Sequence, residues 1–161
     1  MKFEKFLKMT AGRGVIVDRG AYKSEKWLLF DGVLMRIPDG VNIIAALRMD
    51  EPQFISDIFE EYADENISTA ELTNAILPTP DASASNIIRI FTDSDGGKIG
   101  VANKYFGLIE KSNDLVTVYD EDYNPDSPAA ILVLTGYGEN EKIKGIIFDE
   151  EYFSDKINER K

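Results

Sequence analysis

Apolar residues along this chain fall into two patterns: short continuous runs bounded by glycine, proline or acidic turns, and stretches that repeat every three to four positions. Phe3, Phe6 and Leu7 follow the second pattern with lysines between them, which predicts a short helix over 3–9. Gly12 and Gly14 close that helix and start a turn. Val15-Ile16-Val17 reads as a strand. Trp27-Leu28-Leu29-Phe30 and Val33 to Ile37 read as a hairpin, because the intervening Asp31-Gly32 suits the left-handed backbone of a two-residue loop. Pro38-Asp39-Gly40 is another turn, and Val41 to Met49 suits a strand or a helix equally well.

The middle of the chain predicts helices. Asp50 is placed to cap a helix with Pro52 in its first turn, running to Tyr62 with an apolar stripe of Phe54, Ile55, Ile58, Phe59 and Tyr62. Ser68-Thr69-Ala70-Glu71 has the form of a capping box opening a second short helix with Leu72 and Ile76. Pro78 and Pro80 end it, and 81–85 reads as a linker of small residues. Beyond Asn86 the pattern becomes mostly β: a hairpin of 87–91 and 98–102, a helix over 104–111, and strands over 115–119, 129–134 and 143–148. The charged last residues, 151–161, read as a frayed tail or terminal helix.

Both ends therefore follow one order: helix, strand, strand, strand. Phe3, Phe6 and Leu7 align with Tyr105, Leu108 and Ile109, and Val15 and Val17 align with Val116 and Val118. One such unit cannot bury its helix and both sheet faces alone, so two copies side by side make physical sense. The run Lys98-Ile99-Gly100-Val101-Ala102-Asn103-Lys104-Tyr105, the following helix, the strands at 115–119 and 128–134 and the closing Gly145-Ile146-Ile147-Phe148 resemble the last half-domain of a DNA sliding clamp. The resemblance covers residues 98–148 best and 1–38 loosely; Asp149-Glu150 replaces the Met-Pro that follows the last strand of bacterial clamps. It implies short helices lining a DNA channel and sheets facing outward. The expected fold is α+β: two helix-β-β-β half-units (1–48 and 87–150) form one clamp-like domain over 1–161, with an acidic helical insertion at 49–86 and a charged tail at 151–161.

Composition narrows the chemistry. The 161 residues contain no cysteine and no histidine, which excludes disulfide frameworks, Cys/His zinc sites, thiol nucleophiles and imidazole acid–base catalysis. No signal peptide or membrane-spanning run is visible, so the expected setting is cytoplasmic. The formal charge of −11 is unevenly placed. Residues 1–48 carry nine basic against five acidic residues, 49–88 carry nine acidic and no basic ones, and 89–161 carry nine basic against fifteen acidic. A segregated chain of this kind can present a basic face despite its acidic total.

Lys2, Lys5, Lys8 and Arg13 accompany the first helix, and Lys104 and Lys111 the second. If the helices share a face, as the resemblance implies, these six are the DNA-facing candidates, making non-specific, salt-dependent phosphate contacts. They would otherwise simply solvate two short helices. Asp93-Ser94-Asp95-Gly96-Gly97 has the look of a calcium-loop fragment, but it lacks the third spaced oxygen ligand and the closing glutamate, so it reads as a hairpin turn. Asp120, Glu121, Asp122 and Asp126 would suit magnesium but lie among turn residues, where carboxylates are ordinarily solvated.

No metal, cofactor or catalytic residue is expected, and the chain is read as a non-enzyme. The leading expectation is a clamp-like protein of a phage or mobile element acting on duplex DNA or replication proteins, assembled as a homo-oligomer if it encircles DNA. The alternative is an acidic interaction or regulatory module whose segment 49–88 docks a basic protein partner. A carboxylate-dependent hydrolase is a third reading. None involves a membrane.

Overall fold

The computed structural model describes residues 1–20, 24–43, 47–77, 87–135 and 142–159. In chain order the elements are α1 (Phe3–Thr10), β1 (Val15–Arg19), β2 (Glu25–Phe30), β3 (Val33–Arg36), β4 (Leu47–Asp50), α2 (Gln53–Ala63), β5 (Ile67–Leu77), β6 (Ile88–Asp93), β7 (Lys98–Ala102), α3 (Asn103–Phe106), β8 (Asp114–Val118), β9 (Ala130–Thr135), β10 (Lys142–Phe148) and α4 (Glu150–Asn158). The protein is α+β, with one open mixed sheet of ten strands and four helices among the described residues.

The sheet order is β4-β1-β2-β3-β10-β9-β8-β5-β6-β7. Outward from the central β3–β10 pair it runs β2, β1 on one side and β9, β8 on the other, every pair antiparallel. Leu34 sits opposite Ile146 at the centre. The β2–β3 hairpin turns on Asp31 (φ 50°) and Gly32 (φ 78°), the two consecutive left-handed residues that a tight loop of this length needs. β4 joins the sheet parallel to β1, where Arg48 donates to the buried Asp18 at 2.6 Å.

Two cores fill the two faces of the sheet. On one face Val17, Trp27, Leu29, Leu34, Leu132 and Ile146 pack beneath Phe54, Ile55 and Ile58 of α2 and Tyr152 of α4. On the other, Ile16, Leu28, Val33, Ile131 and Ile147 meet Phe6 of α1, Tyr105 and Leu108, and Phe91, Ile99 and Val101 of β6 and β7. The far end of the sheet therefore doubles over its own face. β5 makes the bend: Ile67–Thr69 pair with β8, and Ala70–Leu77 pair with β6 through a register irregularity. Strands covered on both faces have no polar side to show, which is why Trp27–Leu29 and Ala130–Leu134 read as unbroken apolar runs.

Several sequence expectations need correction. The second acidic helix does not exist: Ser68 to Leu77 belong to β5, and Ser68 caps nothing, its hydroxyl donating to Asp95 instead. Buried Ser68 and Ala70 alternate with exposed Thr69 and Glu71, a period of two. Pairing with β8 and β6 outweighs the local capping signal, helped by the β-branched Ile67, Thr69, Thr73 and Ile76. Pro52, not Asp50, occupies the cap position of α2, and Asp50 ends β4. Of the segment left open at 41–49, Leu47–Met49 are strand, while 44–46 lie outside the described residues.

α3 is a single turn rather than a helix reaching Lys111, continued by turn hydrogen bonds from Leu108 to Tyr105 and from Ile109 to Phe106. The charged end is ordered into α4, whose first turn the Asp149 side chain caps and whose Tyr152 is buried. α2 and α4 also cover the sheet face that the resemblance would leave outward. Pro78, Pro80 and the 81–85 linker lie outside the described residues, as do 136–141 of the β9–β10 connection. Among the described residues no helix is long and apolar enough to cross a membrane.

Candidate nucleic-acid interface

α1 forms because Phe6 and Thr10 drop into the core while Lys2, Glu4, Lys5 and Lys8 stay exposed. Glu4 in its first turn and Lys8 in its last both complement the helix dipole. The helix stops at Ala11 in the left-handed conformation (φ 48°), a role the sequence pattern assigned to glycine, with Gly12 (φ 77°) following. The Thr10 hydroxyl donates to the Leu7 carbonyl at 2.7 Å and closes the last turn.

α3 is anchored from two sides. Arg89 of β6 donates to Asn103 Oδ1 at 2.7 Å, and its guanidinium lies 4.8 Å from the Phe106 ring centre. The Tyr105 hydroxyl donates to Asp31 in the β2–β3 turn; burial and then the Asp31 carboxylate push the phenol's pKa upward.

The two helices meet. The Lys2 N–H donates to the Leu108 carbonyl at 2.9 Å, and Lys5 Nζ reaches the Gly107 carbonyl at 3.5 Å. Phe6, Tyr105 and Leu108 share one core, so α1 and α3 lie on the same side of the sheet. Lys2, Lys5, Lys8, Arg13, Lys104 and Lys111 are all exposed, but they are not equally free. Lys104 lies 3.6 Å from Asp31 and 4.9 Å from the Tyr105 ring centre, and Arg13 lies 5.3 Å from that of Phe30. Glu4, Asp31 and Glu110 are exposed carboxylates on the same segments as these cations, and Glu150 lines one cleft with Lys104 and Asp31, so cations and carboxylates are mixed on this surface.

The acidic candidates are placed elsewhere. Asp57, Glu60 and Glu61 of α2 and Asp120, Glu121 and Asp122 of the loop after β8 line one cleft of about 240 Å³. α2 packs on the face opposite α1 and α3. Asp120 is engaged structurally: the Tyr152 hydroxyl donates to it at 2.9 Å, and Lys156 lies 3.8 Å away. Among the described residues no group of three or more carboxylates is placed to hold a metal ion.

In the 93–97 turn, Asp93 spends its carboxylate on the fold. One oxygen accepts from the N–H groups of Asp95 (3.0 Å) and Gly97 (2.8 Å), the other from the hydroxyls of Thr117 (2.7 Å) and Tyr119 (2.5 Å). Burial would raise this carboxyl, but the hydrogen bonds win and hold it below the usual carboxylate range.

The sequence pattern missed one basic feature. A cavity of about 460 Å³ at the start of α1 is lined by Arg36 of β3 and by Lys142 and Lys144 of β10. The only signal was the pair Lys142 and Lys144 flanking Ile143 where the predicted strand over 143–148 begins, which reads equally well as ordinary alternation. Comparison with family models, with curated proteins and with solved structures finds no match to this chain.

Proposed function

We propose that this protein is a non-enzymatic, clamp-like protein of a phage or mobile element that associates with DNA through α1 and α3. The observation that carries this reading is the strand order β1-β2-β3-β10-β9-β8, which a twofold axis between β3 and β10 maps onto itself in order and direction. One helix precedes each half: α1 before β1, α3 before β8. The aligned positions support the repeat, since Phe6 and Leu108 are both fully buried in one core and Val17 and Val118 in the other. Two helix-β-β-β half-units paired in this way are what the clamp resemblance implies.

Charge placement agrees with the reading. The exposed lysines accompany α1 and α3, and the acids of α2 lie across the sheet, where screening over roughly 10 Å at ordinary salt limits their repulsion of a phosphate backbone. Such binding is sequence-independent and weakens with salt. One domain cannot encircle a duplex, so encirclement requires several copies of the chain, whereas one-sided binding requires only the lysine-bearing surface.

The test is binding of labelled duplex DNA at low salt by the wild type and by a Lys5→Glu, Lys8→Glu double variant. Salt-sensitive binding that the variant loses is the expected result. If the wild type shows no salt-dependent binding, DNA contact by α1 and α3 is wrong. The alternative then leads: an acidic interaction module docking a basic protein. It draws on the acidic α2–loop cleft and on Leu72, Ile76 and Leu77, which β5 leaves exposed.

A further inference from the structure

We propose that the cavity at the start of α1 is a phosphate-binding site, built by Arg36, Lys142 and Lys144. The argument begins with a β-bulge. β10 slips register against β9 between Ile143 and Gly145, so Lys144 is an extra residue with no partner opposite. The slip resets the alternation of side chains. Ile146 belongs to the core beneath α2, and in an unbroken strand Lys142 would share its face and point into that core. With the bulge, Ile143 takes the core position instead and Lys142 emerges on the α1 side, lining the cavity beside Lys144. The bulge thus places two ammonium groups at one mouth, and Arg36 joins them from β3 across the sheet.

These cations are poorly neutralised. Neither Lys142 nor Lys144 has an ion pair among the described residues, and Arg36 is shared loosely between Glu25 at 3.8 Å and Asp39 at 3.7 Å. The other lining carboxylate, Glu110, is held by the Met1 amino group at 2.5 Å. Two point charges on flexible stems and a planar guanidinium fork suit a tetrahedral oxyanion, and Ser112 also lines the cavity.

The cavity also adjoins the helix pair, because its wall includes Phe3 of α1 and the turn after α3 that carries Lys111. The source of the phosphate is therefore a nucleic-acid backbone continuing past α1 and α3, an assignment that rests on the clamp-like reading above. The site then adds to the phosphate contacts of Lys2, Lys5 and Lys8.

Two measurements on the full chain test the site and its source separately, using wild type and a Lys142→Gln, Lys144→Gln variant whose fold is checked by thermal melting. The first follows amide shifts by NMR during titration with pyrophosphate. Shifts at Arg36, Lys142 and Lys144 that disappear in the variant are expected, and their absence in the wild type overturns the site whatever the protein does with DNA. The second compares duplex binding between 50 and 200 mM salt. Loss of two phosphate contacts should flatten the log–log slope by about 1.8, so the variant should lose roughly tenfold less affinity across that range than the wild type. An unchanged slope, with binding still lost in the Lys5→Glu, Lys8→Glu variant, overturns the backbone assignment and leaves the clamp-like reading standing. Pyrophosphate shifts without any DNA binding support the site as one for a free phosphate compound and overturn the clamp-like reading.

Discussion

Replacing Asp93 tests how the sheet's folded-over end is fastened. Its carboxylate accepts four hydrogen bonds, two from the turn between β6 and β7 and two from the Thr117 and Tyr119 side chains at the end of β8. It therefore ties the doubled-over layer to the central strands. Hydrogen bonds to a charged acceptor contribute about 1.5–3 kcal/mol each, but the four are not additive, because the half-buried Tyr119 hydroxyl can turn to water while the Thr117 hydroxyl and the Gly97 N–H are buried and cannot. Asp93→Ala should cost about 3–5 kcal/mol, the range for breaking a buried charged network. Asp93→Asn keeps one acceptor oxygen for the turn and offers an amide to the hydroxyl oxygens, so it should cost only about 1–2 kcal/mol.

Urea denaturation with an unchanged m-value measures both losses. The pH dependence has a definite sign. The folded carboxyl lies below its unfolded value, so its contribution is present above about pH 4 and fades as pH falls through the folded value. The gap between wild type and Asp93→Asn should therefore narrow in acid. An Ala variant losing under about 1 kcal/mol, or a gap that stays constant down to pH 2, would refute this account of the turn.

Three further changes probe the helices that cover the other sheet face. Ile55→Ala in α2 removes a fully buried side chain and should cost about 2–5 kcal/mol in the same assay, whereas Glu60→Ala on the exposed side should stay within about 0.5 kcal/mol. Asp149→Ala removes the acceptor of the Tyr152 N–H at the start of α4 and should cost about 1 kcal/mol; no measurable loss would mean that α4 contributes little to the fold.

Local chemistry was enough to specify some elements before any packing was considered. The Asp31-Gly32 loop, the lysine-flanked α1 and the strands around Leu115, Ile131 and Ile146 follow from turn residues and periodicity, and the structure keeps them within a few residues. The six exposed cations were legible for the same reason, since residue type and helical spacing say which side chains stay in water. The helix–strand order common to both ends was legible too. The antiparallel meeting of β3 and β10 was not, because residues more than a hundred positions apart leave no local trace of their pairing.

The fate of 68–77 shows the limit most clearly. A capping-box signature is worth about a kilocalorie per mole in isolation, while joining β5 to both β8 and β6 satisfies a whole ladder of backbone groups. The basic cavity lies beyond the same limit. Lys142 reaches the α1 side through a one-residue bulge, which lets Ile143 and Ile146, three positions apart, sit in one apolar layer. Spacing along the chain determined what each segment prefers; burial on both faces of one sheet decided which preferences survived and which charges came together.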